Sequence, residues 1–500
     1  MNNFFLDKLR YNAYIFGDRN AVVFRTEYIS YRELDEETTK LADSLRRIIS
    51  RQQMPIIIYH TRGIEFIKYM IAVIKCNCFY IPLEEVCPVN RVEMIYRDIG
   101  AEIVISDILN NDSGMKVFNC KEYKKQLYEN TEEVATAYDD KNILYVMYTS
   151  GTTGRPKGIA IKNENVKNLI ETFGGIIYDS INENINVGLI ASFSFDTSVK
   201  QIYCALYYAK TLVIADDTVR NFGRKIHDFH NNNQLTICDA TPSHLKLMLI
   251  QKPKKTSKLP ILFIGGENLQ WDLLNEYREK INGQCRFVNL YGPTECCVDV
   301  SYNYIDKIDQ IHGSVPIGKA FNNTTLILQD EEGQVITKEN MIGELVVYGK
   351  QVGYGYVGNN ISNGFIYNNG VTIGYRTGDL GKYDDKHDIV ILSRKDRQVK
   401  VNGYRIELGE IESRISEFCG TQCVVSCANN GKKASIVAFI VKGNEKKSKE
   451  ELKEHLVKSL MPYMLPREYI YLNSFPLNVN GKIDENLLWE MYRKVKMINQ

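Results

Sequence analysis

Residues 148–158 read YTSGTTGRPKG. Gly151, Gly154 and Gly158 expose backbone N–H groups, Ser150, Thr152 and Thr153 add hydroxyl donors, and Lys157 adds a cation. Small donors on a glycine-rich turn, with one ammonium, suit an anion with several oxygens, above all a phosphate. The spacing is not that of a P-loop NTPase, which needs G-x-x-x-x-G-K-[ST] with its last hydroxyl on magnesium. Here Pro156 precedes the lysine and Gly158 follows it. The alternative is a polar surface loop, and the rest of the chain decides between the two.

A chain of 500 residues exceeds one ordinary compact domain, so at least two are expected. Its 44% hydrophobic and 25% charged content is that of a soluble globular protein. A net charge of +1 gives no reason to expect nucleic acid or an anionic membrane as partner. No apolar run approaches the roughly 20 residues that span a bilayer. The N-terminal stretch, interrupted by Asp7, Lys8 and Arg10, lacks the apolar centre of a signal peptide, which predicts a cytoplasmic protein. The twelve cysteines include no CxxC pair. The groups at Cys76, Cys78 and Cys87 and at Cys419, Cys423 and Cys427 therefore read as small core residues in a reducing compartment, not as a zinc site.

The first half alternates strand-like and helix-like segments. PIIIY (55–59) predicts a buried strand, 63–76 a helix, VNRVEMIYRDIG (89–100) another helix and EIVISD (102–107) another strand. TLVIAD (211–216), LTICDA (235–240) and PILFIGG (260–266) are further buried-strand candidates. This alternation predicts an α/β fold with parallel sheets covered by helices. From Gly343 to Val401 the texture changes to short β-like runs separated by glycines: GELVVYG, GYGYVG, YRTGDLG, IVILSR. A charged stretch then leads into a smaller α+β tail, where Ser448 and Glu451 form a capping box starting a helix that ends before Pro462. The domains are predicted as 1–395 and 396–500. KPKKTSK (252–258) reads as a solvated basic loop.

Further motifs stand in order along the chain: NLYGPTE (289–295), YRTGDL (375–380), SRKDRQVKVNGYRIELGEIE (393–412) and NVNGKID (478–484). Together with YTSGTTGRPKG they resemble the adenylate-forming enzyme superfamily of acyl-CoA synthetases, luciferases and peptide-synthetase adenylation domains. The resemblance covers nearly the whole chain. It is strongest to the adenylation domains of non-ribosomal peptide synthetases, or to stand-alone relatives of the D-alanine–carrier-protein ligase type. It implies a large N-terminal domain of parallel sheets with a small β-barrel-like subdomain, and a small mobile C-terminal domain hinged at Asp396. The implied reaction joins a carboxylate to the α-phosphorus of ATP, releases pyrophosphate, and passes the acyl group to a phosphopantetheine thiol.

By this resemblance Thr149, Ser150, Gly151, Thr152, Thr153 and Lys157 hold the β- and γ-phosphates. Thr294 touches the α-phosphate and Glu295 holds Mg2+, a hard cation that prefers carboxylate oxygen. Asp379 accepts the ribose hydroxyls, assisted by Arg394. Asn289, Tyr291 and the backbone around Gly266 and Glu267 match the adenine-binding elements. Lys482 bridges the substrate carboxylate and the α-phosphate. A cation about 4 Å from an anion gains about 4 kcal/mol at an effective dielectric near 20, enough for roughly a thousandfold in rate when realised only in the transition state. Gly403 lines the thiol route. The chain departs from the family at Ser393, where glycine is frequent, and at Lys162–Asn163, where histidine is common.

FSFDTSVKQIY (193–203) bears on the substrate. Family members that take α-amino acids carry an aspartate at the position of Asp196, paired with the substrate ammonium. The remaining specificity positions match Thr197, Lys200, Asp239, Phe263, Gly265, Leu290, Val298 and Asp299, with Lys482. Lys200 with Asp239 and Asp299 resembles the glutamate pattern, in which the aspartates fix a lysine that meets the γ-carboxylate. L-glutamate is the predicted substrate; glutamine or a basic amino acid are the alternatives within the same chemistry. An acyl- or aryl-CoA ligase and a non-catalytic nucleotide-binding regulator are the alternatives outside it. No condensation motif (HHxxxDG) and no carrier-attachment motif (GGxS) occurs. The chain reads either as a free-standing adenylation enzyme that loads a carrier protein in trans, toward which Met1 and the full motif set lean, or as one excised from a larger synthetase; a monomer is expected.

Overall fold

The structure is a computed structural model. It describes residues 3–109, 114–119, 139–151, 156–220, 222–251, 259–281, 284–305, 312–358, 364–401, 403–429, 434–443, 447–476 and 483–498. The chain forms two compact units: one of 1–85, 93–148 and 157–396, the other of 86–92, 149–156 and 397–500.

Among the described residues, three sheets build the first unit. The largest has nine strands, in the order Lys319–Ala320, Ser301–Ile305, Arg286–Tyr291, Ile261–Ile264, Leu235–Ala240, Asn186–Leu189, Thr211–Ile214, Asn20–Phe24 and Glu27–Ser30. Its interior pairs from Arg286–Tyr291 to Asn20–Phe24 are all parallel, with antiparallel strands at either edge. A seven-stranded sheet runs in the order Gly355–Val357, Lys157–Lys162, Ile143–Thr149, Phe79–Glu84, Pro55–His60, Ile103–Ile105 and Val117–Phe118. The third sheet is antiparallel and takes up most of the glycine-punctuated stretch after residue 320. One run leaves it: Gly355–Val357, within GYGYVG, pairs antiparallel with Lys157–Lys162 of the seven-stranded sheet.

Local sequence explains these elements. Pro55–His60 and Phe79–Glu84 are buried at every position, as strands covered on both faces require. The helix Ile64–Lys75 is apolar nearly all round and buried on nearly every side, the pattern of a core helix. Tyr31–Arg46 begins with a reciprocal capping box between Ser30 and Glu33. Strand ends differ from the predicted ones by a residue or two: the run at 211–216 gives Thr211–Ile214, and that at 260–266 gives Ile261–Ile264, freeing Gly265 and Gly266 for the turn beyond.

In the second unit Cys423–Asn429 pairs antiparallel with Ala434–Val441, which pairs parallel with Glu468–Leu472. A hairpin, Gln398–Val401 with Tyr404–Glu407, turns at Gly403, whose φ of +82° favours glycine. The predicted capping box at Ser448 and Glu451 starts the helix Lys449–Val457. No disulfide joins the described cysteines, and those before residue 300 are all buried. No group of three or more His, Cys, Asp or Glu among the described residues is arranged to hold a metal ion, and no described helix is long and apolar enough to cross a membrane. The basic stretch 252–258 lies outside the described residues.

Candidate active site

Parallel pairing assembles much of the first unit's predicted site. Asp239 stands opposite Phe263, Phe263 opposite Val288, and Ile264 opposite Asn289. The C-terminal ends of three adjacent parallel strands therefore carry Asp239, then Gly265 with Gly266, then Leu290 with Tyr291, where open α/β sheets place their ligand crevices. A Cβ at Gly265 would sit 3.1 Å from the Leu290 carbonyl oxygen, and Gly266 has a φ of +81°. The Asn289 amide donates to the Pro316 carbonyl at 2.9 Å, and Glu267 accepts from the Ser243 hydroxyl at 2.8 Å.

Asp379 lies in the long strand Val371–Tyr383, where antiparallel register sets it opposite Arg394. Arg394 Nη1 is 2.8 Å from Asp379 Oδ1. Arg394 also grips Asp396 with two hydrogen bonds, Nε to Oδ1 at 2.7 Å and Nη2 to Oδ2 at 2.8 Å. The buried Tyr291 hydroxyl donates to Asp379 Oδ2. Burial, followed by the Asp379 charge, raises the Tyr291 pKa well above that of an ordinary phenol, so this hydroxyl stays a donor. Each oxygen of Asp379 accepts one bond from the protein and, as a carboxylate oxygen, has capacity for another.

Past Gly292 the chain makes a short 3-10 turn, Thr294–Cys296, that buries Glu295. Tyr356 donates its hydroxyl to Glu295 Oε1 at 2.7 Å, and Lys157 Nζ lies 5.9 Å above the Tyr356 ring. Strand Gly355–Val357 thus links the lysine of the phosphate loop to the predicted magnesium carboxylate. Cys297 and Val298 follow with φ of +50° and +77°, left-handed backbone that is unfavourable for a β-branched residue. Gly292 permits this, because a Cβ there would meet the Val298 carbonyl oxygen at 2.3 Å.

The predicted specificity residues centre on a buried cation. Lys200 Nζ lies 2.5 Å from Asp239 Oδ1 and 3.1 Å from Asp299 Oδ2, and 5.4 Å from the ring centroids of both Phe173 and Phe263. Burial alone would depress the Lys200 pKa, but Asp239 and Asp299 outweigh it and the net shift is upward. Burial carries Asp299 the other way for an acid, to about 6, even though Lys200 opposes the change. Asp196 and Thr197 open the helix Thr197–Tyr207 that presents Lys200, and the charge of Asp196 reaches Asp299. Sequence reasoning missed Gln201, whose amide nitrogen donates to Asp239 Oδ2 at 2.9 Å, as well as Phe173 and Tyr356. No local signal marks the first, because its helix, TSVKQIYCALY, already carries Ser198 and Lys200 among its apolar residues.

In the second unit, the Ser150 hydroxyl donates to the Arg405 carbonyl at 3.1 Å and accepts from the Glu407 N–H at 2.9 Å. The Gly151 N–H donates to Glu410 Oε2 at 3.2 Å, and Glu410 Oε1 pairs with Arg91 at 2.7 Å. Thr149 ends the strand leading into this loop. Thr152, Thr153 and Lys482 lie outside the described residues.

The profile for AMP-binding enzyme matches residues 9–357, and that for the AMP-binding enzyme C-terminal domain matches residues 410–482. The chain belongs to the AMP-binding enzyme family. Members of this family are adenylate-forming ligases. The chain is 31% identical over 496 residues to surfactin synthase subunit 1 of Bacillus subtilis (strain 168), covering 96% of this chain and 14% of that protein. It is also 31% identical over 488 residues to bacitracin synthase 1 of Bacillus licheniformis, covering 95% of this chain and 9% of that one. The chain therefore spans a small part of the curated relatives it matches. Solved structures share its fold. One is a holo NRPS protein containing adenylation and PCP domains bound to a vinylsulfonamide inhibitor, with a TM-score of 0.85, 22% identity, and 97% of this chain and 84% of that one covered. Another is the Vibrio cholerae adenylation domain AlmE in complex with glycyl-adenosine-5'-phosphate, with a TM-score of 0.84, 21% identity, and 99% and 98% covered.

Proposed function

We propose that this protein activates L-glutamate as its adenylate and transfers the glutamyl group to the phosphopantetheine thiol of a carrier protein acting in trans. An α-carboxylate oxygen attacks the α-phosphorus of ATP, the bond to pyrophosphate breaks, and glutamyl-AMP forms. The thiol then attacks the acyl carbon, AMP leaves, and the thiol proton passes to solvent. Asp196 binds the substrate ammonium, and the ribose hydroxyls donate to the remaining capacity of Asp379, whose plane Tyr291 and Arg394 hold. Thr294 meets the α-phosphate, the loop from Thr149 to Lys157 meets the outer phosphates, and Lys482 bridges the two reacting anions. Glu295 suits Mg2+, since its buried carboxylate is a hard oxygen donor already oriented by Tyr356. The ion supplies charge neutralisation on the phosphate oxygens. Asp396 serves as the hinge between 1–395 and 396–500, and Gly403 lines the thiol route.

The observation that carries the substrate assignment is the buried Lys200, held by two aspartates between aromatic walls. A γ-carboxylate loses several kcal/mol of solvation in such a pocket unless a cation meets it. Asp299, titrating at about 6, supplies the proton that relieves repulsion between its own carboxylate and that of the substrate. A second reading, glutamine, is favoured by the count of charges, because Asp239 and Asp299 already more than offset the charge of Lys200. An amide donates to Asp299 and accepts from Lys200 without any proton uptake. A twenty-amino-acid screen of ATP–pyrophosphate exchange tests both. Glutamate is expected to give the largest kcat/KM; exchange with glutamine alone replaces the first reading by the second, and exchange with neither removes both.

A further inference from the structure

Gln201 belongs to neither the predicted pocket nor the nucleotide corner. It is 1% exposed, and both ends of its amide are engaged. Nε2 donates to Asp239 Oδ2 at 2.9 Å, while Oε1 accepts from the Ala191 N–H at 3.4 Å. These two bonds fix the amide orientation, since only the nitrogen can donate to a carboxylate and only the oxygen can accept from a backbone N–H. The Ala191 peptide is itself anchored, because its carbonyl accepts from the buried Arg62 guanidinium at 2.7 Å. A continuous chain therefore runs from Arg62 through the Ala191 peptide, Gln201 and Asp239 to Lys200. With Oδ1 on Lys200 and Oδ2 on Gln201, the plane of the Asp239 carboxylate is held from both sides.

We propose that Gln201 is a positioning residue for substrate selection: its uncharged amide locks Asp239 onto Lys200 and so aims the ammonium at an acidic substrate side chain. The inference rests on the reading that Lys200 and Asp239 line the amino-acid pocket. A neutral donor matters here, because a carboxylate in the same place would still accept from Ala191 but would face Asp239 as a like charge. The charged groups tied to this point are Asp239, Lys200 and Asp299, with Asp196 acting on Asp299, and, at the far end of that hydrogen-bonded chain, Arg62 paired with Glu84. Tyr178, Cys204 and Cys238, which also feel Asp239, are pushed far upward by burial and stay neutral through the working range.

Two variants test the proposal in the full chain, with ATP–pyrophosphate exchange on glutamate and glutamine at pH 6 and pH 8 and a thermal melt for each. Gln201→Met keeps length and volume but removes the donor, leaving Asp239 Oδ2 unsatisfied. It should raise KM for glutamate about ten- to a hundredfold, the range for a stranded buried acceptor. The loss in kcat should be smaller, and KM for ATP should change less than twofold. Gln201→Glu should lose glutamate activity more severely at pH 8 than at pH 6, where one proton shared with Asp239 restores the donor. A purely packing role gives instead a pH-independent loss that follows the melting temperature, and that result overturns the proposal. So does wild-type KM and selectivity in Gln201→Met. Should Gln201→Glu fail to fold, Gln201→Met decides alone, and should that also fail, Gln201→Leu is read by the same criteria. If the wild-type protein exchanges a different amino acid, the glutamate reading falls while Gln201 is still judged on the KM for that amino acid.

Discussion

Two buried clusters in the same unit solve the problem of holding a carboxylate in opposite ways. At Asp379 one carboxylate is shared between a guanidinium and a phenol, and Arg394 is balanced by the half-exposed Asp396. Around Lys200 two carboxylates share one ammonium, with all three side chains at most 9% exposed. In the first cluster Tyr291 and Arg394 each hold one oxygen of Asp379, and each oxygen has capacity for another bond. In the second, the excess negative charge is buried, and burial pushes Asp299 up to about 6, so a proton takes up that excess as pH falls toward 6. Both clusters set two carboxylates against one cation; they differ in access to water, since Asp396 is 40% exposed while Asp239 and Asp299 are at most 9% exposed.

Removing the single cation from the second cluster should have the largest effect. Lys200→Ala strands two buried carboxylates, a loss worth about 3–5 kcal/mol. Glutamate-dependent exchange is expected to fall by at least about a hundredfold while ATP affinity measured by titration calorimetry stays near wild type; an equal loss of ATP affinity would dissolve the contrast between the clusters.

A pH series sharpens it. Because the Asp299 pKa is raised above its ordinary value of 3.8, the folded protein binds more protons than the unfolded chain between about 4 and 6, and the stability from this group falls as pH rises through that window. The protonated fraction then drops about tenfold per unit above 6. Glutamate kcat/KM should decline from pH 6 to pH 8 while glutamine kcat/KM stays level, and Asp299→Asn should flatten the glutamate profile. A level profile for glutamate in the wild-type protein would remove the proton from the account.

The smallest effect belongs to the first cluster. Tyr291→Phe removes one hydroxyl donor from Asp379 and leaves Arg394 in place, a change of about 0.5–1.5 kcal/mol. KM for ATP should rise by a few-fold with no change in amino-acid preference; a shift in preference would show the two clusters to be coupled.

Legibility in the sequence followed the range of the interactions. Pro55–His60 and Ile64–Lys75 announce themselves through local apolar content, because burial on all sides needs apolar residues at nearly every position. The excursion of Gly355–Val357 into another sheet is invisible locally, since its partner Lys157–Lys162 is distant in the chain and backbone pairing leaves no side-chain signature. Lys200, Asp239 and Asp299 were legible through resemblance to a known pattern. Gln201 was not, because adjacent residues on a helix point about 100° apart and only the three-dimensional position of Asp239 brings both to one carboxylate.

The left-handed turn at Cys297 and Val298 bears on how the proposed amino-acid pocket diversifies. Backbone held in so disfavoured a shape shifts the fitness of every replacement at position 298: asparagine and glycine relax it, whereas isoleucine aggravates it. Accessible specificities are therefore filtered first by what the main chain tolerates and only afterwards by what the incoming molecule wants. Any library built to retarget this enzyme should be weighted accordingly.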